Sequence, residues 1–229
     1  MRILGLTGSI GMGKSTAAAM LRRLGAPVYD ADRAVHRLMG PGGAALAAIE
    51  AEFPGVVGRH GVDRQALGAQ VFGDRAALKR LEAILHPLVA AARDDFLKRC
   101  ARRGTPVAVL DVPLLFETGL DQRCDLTLLV TAPPAIQRFR VLKRPGMSEE
   151  KLAGVLAQQI PDPVKRRLAD VVIPTGLGRR PVLRALRRAL TLAGARPARC
   201  WPPGPPRVYP PARPPFGLKG GRSRSKRDA

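Results

Sequence analysis

Gly8-Ser9-Ile10-Gly11-Met12-Gly13-Lys14-Ser15 decides how the rest of this chain is read. The stretch satisfies G-x-x-x-x-G-K-[ST], directly after an apolar run at residues 3–7 and directly before a helical pattern that begins at Lys14. That strand, loop and helix are the context the motif requires. Glycines let the backbone curl so that its N–H groups converge on a phosphate, and the helix N-terminus adds a favourable dipole. In such a loop the lysine bridges the β- and γ-phosphates of a nucleoside triphosphate, and the hydroxyl residue ligates Mg²⁺. Gly11, Met12, Gly13, Lys14, Ser15 and Thr16 are therefore the expected nucleotide contacts, Lys14 serving the chemistry and Ser15 the metal.

Working outward, short and nearly continuous apolar runs at 3–7, 27–29, 107–110, 126–130 and 171–173 alternate with longer helical patterns. Strands covered on both faces read this way, so the expectation is an α/β fold with a parallel five-stranded sheet flanked by helices. Ala17, Met20, Leu21 and Leu24 fall at i, i+3, i+4 and i+7, and Leu78, Leu81, Leu85, Leu88 and Val89 hold one helical face in the same way. The stretch 31–105 is longer than one crossover needs. It is expected to be a helical insertion, broken at 40–43 and 53–61, that holds the acceptor. A charged helical excursion at about 133–168 reads as a lid, with a fresh helix start at Ser148-Glu149-Glu150 after Pro145-Gly146.

With 229 residues, 45% of them hydrophobic, the chain has material for one sizeable domain, placed at 1–194, and an appendage. Neither a signal peptide nor an apolar stretch of roughly 20 residues is present, so a cytoplasmic protein with no membrane partner is expected. The net charge is +21, of which the segment 195–229 carries +8 and the body +13. A basic body suits a binder of polyphosphates. Nine of the 22 prolines lie in the last 33 residues, without apolar periodicity, so 195–229 is expected to be disordered or polyproline-like. Its arginines would attract nucleic acid only nonspecifically, because stacking and base-reading elements are missing. Cys100, Cys124 and Cys200 lack metal-ligand spacing and are read as ordinary small residues.

A phosphate cradle is shared by kinases, GTPases and helicases, so the rest of the chemistry must come from elsewhere. Guanine-reading N-K-x-D signatures and a second helicase core are missing. Asp30-Ala31-Asp32 follows the second strand, at the carboxyl end where open α/β sheets place ligands. In an extended segment both carboxylates would face the γ-phosphate; one can orient or deprotonate an acceptor hydroxyl, and one can cap the following helix. Asp111 ends a strand where a carboxylate could hold Mg²⁺ through water or close a turn. Arg138 is the first choice among the lid cations for the transferring phosphoryl group, followed by Arg140 and Arg144. His86, before Pro87, either shapes an acceptor pocket at a helix kink or simply packs there.

Taken in order, several stretches resemble the dephospho-coenzyme A kinase family. They are Gly5-Leu6-Thr7-Gly8-Ser9-Ile10-Gly11-Met12-Gly13-Lys14-Ser15-Thr16, Asp30-Ala31-Asp32 with His36, Leu81-Glu82-Ala83-Ile84-Leu85-His86-Pro87, Asp111-Val112-Pro113-Leu114-Leu115-Phe116-Glu117, and Gln159-Ile160-Pro161 with Lys165 and Ala169-Asp170-Val171-Val172-Ile173. The resemblance spans about residues 1–190. It implies a P-loop kinase core with helical acceptor-binding insertion and helical lid, ATP and Mg²⁺ as cofactors, and phosphorylation of the ribose 3′-hydroxyl of dephospho-CoA. It also implies Asp32 as the catalytic carboxylate, with Asp30, His86 and Pro113 in the acceptor site. Val155 and Gln158 stand where many members carry arginine, and Thr175 stands where many carry an adenine-reading asparagine. The alternatives are another P-loop kinase, for a nucleoside or nucleotide, and a nucleic-acid-binding protein acting through its basic tail, and a monomer or small homo-oligomer is the expected assembly.

Overall fold

Short apolar runs that cannot bury themselves as helices collect into one sheet, and the longer patterns cover it. The computed structural model describes residues 1–202. In chain order it contains β1 (Arg2–Thr7), α1 (Lys14–Arg23), β2 (Val28–Asp30), α2 (Ala31–Leu38), α3 (Leu46–Glu52), β3 (Val57–Gly58), β4 (Gly61–Val62), α4 (Arg64–Val71), α5 (Arg75–Arg102), β5 (Val107–Asp111), β6 (Leu126–Thr131), α6 (Pro134–Leu142), α7 (Glu149–Ala157), α8 (Asp162–Leu168), β7 (Val171–Pro174) and α9 (Arg179–Ala195).

The five long-range strands pair in parallel in the order β2-β5-β1-β6-β7, as the run of apolar segments leads one to expect. Side chains alternate across each strand. Val107 and Val109 of β5 therefore join Leu4, Leu6, Leu128 and Ile173 in a core closed by Ala17 and Leu21 of α1 and Leu186 of α9. Ala108 and Leu110 face the other way, onto Tyr29, Leu97 and Cys100. All strand C-termini consequently open at one end of the sheet, where the phosphate-binding loop, Asp30 and Asp111 stand.

Residues 31–105 build an apolar cluster of their own around Ile49, Phe53, Leu67 and Ala77, away from the sheet. Within it β3 and β4 form an antiparallel hairpin that no sequence period announced, because each strand has only two residues. The kink expected at His86-Pro87 is not a helix break: α5 runs through Pro87 for 28 residues. Pro87 gives no N–H to the ladder. Leu81, Ile84, Leu85 and Leu88 pack on the insertion cluster and Leu97 and Cys100 on the sheet, which holds the helix together on both sides of that gap.

The segment after residue 194 differs from expectation over 196–201. Asp125, which is buried and accepts the Ile3 N–H at 2.7 Å, also accepts the N–H groups of Arg199 at 2.7 Å and Cys200 at 3.0 Å. Arg196 pairs with Asp170 at 3.1 Å, and Trp201 packs against the Tyr29 side of the core. One buried carboxylate and one aromatic anchor dock this piece despite its lack of periodicity. The remainder of the expected disordered segment, 203–229, lies outside the described residues.

Candidate active site

The loop between β1 and α1 is shaped by what glycine alone permits. Gly13 holds φ 89° at the N-cap of α1, a left-handed conformation that side chains resist. At Gly8 the limit is space, since a Cβ there would stand 2.6 Å from Val130 Cγ2 and 2.7 Å from the Val130 carbonyl oxygen. The loop thus lies against β6 and opens into a cavity of about 710 Å³ lined by Gly8, Gly11, Gly13, Lys14, Ser15 and Thr16. Met12 is the exception among the expected nucleotide contacts. Its side chain is buried in the core, its sulfur 3.0 Å from the Ala132 N–H, and its own N–H is given to the Ser9 carbonyl at 3.1 Å. Met12 anchors the loop and does not line the cavity.

Lys14 Nζ rests 2.8 Å from Asp111 Oδ1 at the end of β5. Burial pushes the Asp111 carboxyl above the usual carboxylate range, the Lys14 ammonium pulls it back, and the neighbouring Asp30 and Asp32 carboxylates push it up again. Ser15 is exposed to the cavity and Asp111 lies behind Lys14. A hydroxyl and a carboxylate are hard oxygen donors of the kind Mg²⁺ takes, so this pair fits the ion chemically.

Asp30 and Asp32 do not lie in one extended segment, because α2 starts at Ala31. Asp30 ends β2 in extended backbone (φ −110°, ψ 110°), while Asp32 is already in the first helical turn, so the alternation of a strand does not carry over to it. Asp30 turns back as the N-cap, accepting the Arg33 N–H at 3.0 Å, with Arg22 at 3.8 Å. Asp32, exposed in the first turn, lines the cavity with the phosphate loop and Pro113. Pro113 is tied to β1 through its carbonyl, which accepts the Thr7 hydroxyl at 3.0 Å.

Helix α6 corrects the choice of lid arginine. Gln137, Arg140 and Val141 form one i, i+3, i+4 face of α6 turned to the loop, and Arg144 follows just past its end. Gln137 donates to the Ile10 carbonyl at 2.8 Å, and a Cβ on Gly11 would meet Val141 Cγ2 at 2.6 Å. Arg140 and Arg144 line the cavity. Arg138, about 200° from Arg140 on the same helix, is exposed, pairs with Glu149, and does not line it. Arg140 also donates to the hydroxyl and to the carbonyl of Thr175, both at 2.9 Å, while the Thr175 hydroxyl lies 2.8 Å from the Met12 carbonyl. Thr175, at the end of β7, thus ties α6 to the loop.

His86 is exposed on α5 and is absent from the cavity wall. Three residues that carried no assigned role meet between the loop after β5 and the segment 159–165 instead. Lys165, fully buried at 0% exposure, lies 2.8 Å from Glu117 Oε1, which accepts the Ile160 N–H at 2.9 Å. Gln159, next to Ile160, lines the cavity. A lysine beside two arginines, Lys165-Arg166-Arg167, gives no sequence sign of burial. Burial also raises the Cys100 and Cys124 thiols, which stay protonated packing groups.

Residues 2–177 match the family model for dephospho-CoA kinase. The dephospho-CoA kinase of Paramagnetospirillum magneticum is 66% identical over 72% of this chain and 78% of its own length. That of Rhodospirillum rubrum is 58% identical over 83% of this chain and 91% of its own. The crystal structure of TT1252 from Thermus thermophilus superposes with a TM-score of 0.72 at 36% identity, covering 83% of this chain and 96% of that one. A dephospho-CoA kinase from Campylobacter jejuni, at 20% identity and a TM-score of 0.59, shares the fold. A match that takes in the phosphate loop, Asp32, Pro113 and the lid, with such identity over most of both chains, means that this chain belongs to the dephospho-CoA kinase family.

Proposed function

We propose that the protein transfers the γ-phosphoryl group of ATP to the ribose 3′-hydroxyl of dephospho-CoA, giving coenzyme A and ADP. The observation that carries this reading is a single cavity in which Asp32 and Pro113 face Gly13, Lys14, Ser15, Arg140 of α6 and Arg144 just after it. The acceptor oxygen attacks the γ-phosphorus and its proton passes to, or is oriented by, the Asp32 carboxylate. Lys14 leaves Asp111 for the β- and γ-phosphate oxygens, and Arg140 adds charge from the lid side. Ser15 and Asp111 would hold Mg²⁺, which neutralises charge on the phosphates when bound.

In this reading 1–194 is the kinase domain, 31–105 holds the acceptor and 133–168 is the lid. The protein acts in the cytoplasm, as a monomer or small homo-oligomer, without a specific nucleic-acid partner. Among the described residues no helix is long and apolar enough to cross a membrane. The test is ADP release from Mg-ATP with dephospho-CoA, adenosine or AMP as acceptor, with the product identified by mass and by the position of its new phosphate. Dephospho-CoA is expected to be used far better than the others. A preference for adenosine or AMP would assign the cavity to a different small-molecule kinase.

A further inference from the structure

A second cavity, of about 220 Å³, lies beyond the edge strand β2. Helix α1 covers one face of the sheet and α5 the other, and they come together only past that edge, where α2 joins them. The Tyr29 and Phe96 rings, 5.6 Å apart, give the cavity an apolar lining. Four guanidiniums line it as well: Arg22 from α1, Arg33 and Arg37 one turn apart on α2, and Arg99 from α5.

Asp30 is the one carboxylate on that wall, and it is already engaged: Oδ1 accepts the Arg33 N–H at 3.0 Å and Oδ2 stands 3.8 Å from Arg22. Asp94, whose charge is also felt at Tyr29, is taken by Arg93 at 2.9 Å. The guanidiniums of Arg33, Arg37 and Arg99 make no ion pair or hydrogen bond among the described residues. Like charges around one cavity repel. A multiply charged oxyanion among them removes that repulsion and adds charge-assisted hydrogen bonds that match the guanidinium fork. The volume is below the ~300 Å³ at which pockets for whole small molecules begin, so it suits an anionic group and not an entire nucleotide.

We propose that this cavity is a second phosphate-binding site, apart from the phosphate loop, where Arg33, Arg37 and Arg99 take a diphosphate group. Two sources present the same chemistry. One is a free anion. The other is the diphosphate of an acceptor whose ribose lies at Asp32. On α1 the exposed positions Ser15, Ala19 and Arg22 form an i, i+4, i+7 stripe that leads from the phosphate loop to the cavity over roughly 10 Å, with only the Ala19 methyl between its ends. The site stands whether or not dephospho-CoA is the acceptor, because the arginines and their missing partners alone carry it.

The test is a calorimetric titration of the full chain with inorganic pyrophosphate, in magnesium-free buffer at about 0.15 M salt, with the phosphate loop empty and then filled by ADP. ADP is expected to remove one site and leave the other. Arg37→Gln combined with Arg99→Gln is expected to weaken the remaining site about tenfold or more. Arg184→Gln combined with Arg188→Gln removes the same charge beside β7, at the opposite edge of the sheet, and is expected to change it less than twofold. All four side chains are exposed, so folding is not at stake in these variants. Equal loss in the two pairs would mean that net charge alone attracts pyrophosphate, and overturns the proposal. So does the lack of any pyrophosphate binding that depends on Arg37 and Arg99, with or without ADP. Dephospho-CoA then names the source. If it displaces pyrophosphate from this site and is itself weakened by the Arg37 and Arg99 changes, while adenosine is not, the acceptor's diphosphate is the occupant. If the two bind together, a free anion is. Either result keeps the site.

Discussion

The phosphate loop draws its chemistry from one contiguous stretch, Gly8 to Thr16, acting through backbone and a single cation. The facing wall takes Asp32 from the start of α2, Pro113 from the loop after β5, and Gln159 from the turn after α7. The first is a local shape dictated by glycines and a helix start. The second is an assembly that exists only once the sheet order has brought β2 next to β5 and the lid has been tied to Glu117. Contiguity makes the first robust to what happens elsewhere in the fold, whereas each member of the second depends on a different element.

The comparison breaks if the loop is not the site of the main charge stabilisation. Lys14→Ala removes the cation expected at the transferring phosphoryl group, and kcat should fall on the order of 1000-fold or more. The same change leaves Asp111 buried without its counter-charge, so thermal stability should drop as well. Adding Asp111→Asn should restore the stability and leave the activity lost. Recovery of both in the double variant would show that Lys14 matters only through the ion pair.

On the facing wall the largest effect is expected at Asp32. Asp32→Asn keeps size and hydrogen-bonding shape but loses the proton-accepting charge, so kcat and kcat/KM should fall together by about 100-fold or more. ATP affinity, measured by titration, should change little. A normal kcat in this variant would remove the carboxylate from the mechanism.

The lid supplies a smaller effect and a sharper contrast. Arg140→Ala should lower kcat/KM by about tenfold or more, because it removes a guanidinium that lines the cavity and fixes Thr175. Arg138→Ala should stay within twofold, since an exposed ion pair of this kind contributes only about 0–1 kcal/mol. The reverse ranking would mean that α6 rotates or unwinds when the lid closes over ATP.

The uneven legibility of the sequence follows from the same contrast. The sheet strands and the phosphate loop were readable because their signals are local: apolar runs of strand length, and glycines at fixed spacing before Lys14. The 137, 140, 141 face of α6 was equally present in the sequence. It singles out Arg140 over Arg138 once period 3.6 is applied to α6. Lys165 could not have been read as buried from Lys165-Arg166-Arg167, because its burial depends on Glu117, which lies in another element. Asp30 and Asp32 do not share a face because α2 begins between them, at Ala31, where strand alternation stops.

The smallest effect is expected at Asp30, and it tests the division of labour between the two carboxylates. Asp30 accepts the Arg33 N–H, so Asp30→Ala leaves an orphan donor at the start of α2 and should cost about 1 kcal/mol of stability. In a chain of this size that is a fall of about 2–4 °C in Tm. Asp30→Asn should be nearly neutral, because asparagine caps as well as aspartate. Since α2 carries Asp32, loosening its first turn should raise the KM for the acceptor a few-fold at most, while kcat measured at saturation stays near that of the unmodified enzyme. Asp30→Asn therefore separates the two roles: a cap tolerates it, a proton acceptor does not. Loss of kcat in Asp30→Asn together with normal turnover in Asp32→Asn would exchange the assignments and move the acceptor hydroxyl to the Arg22 side of β2.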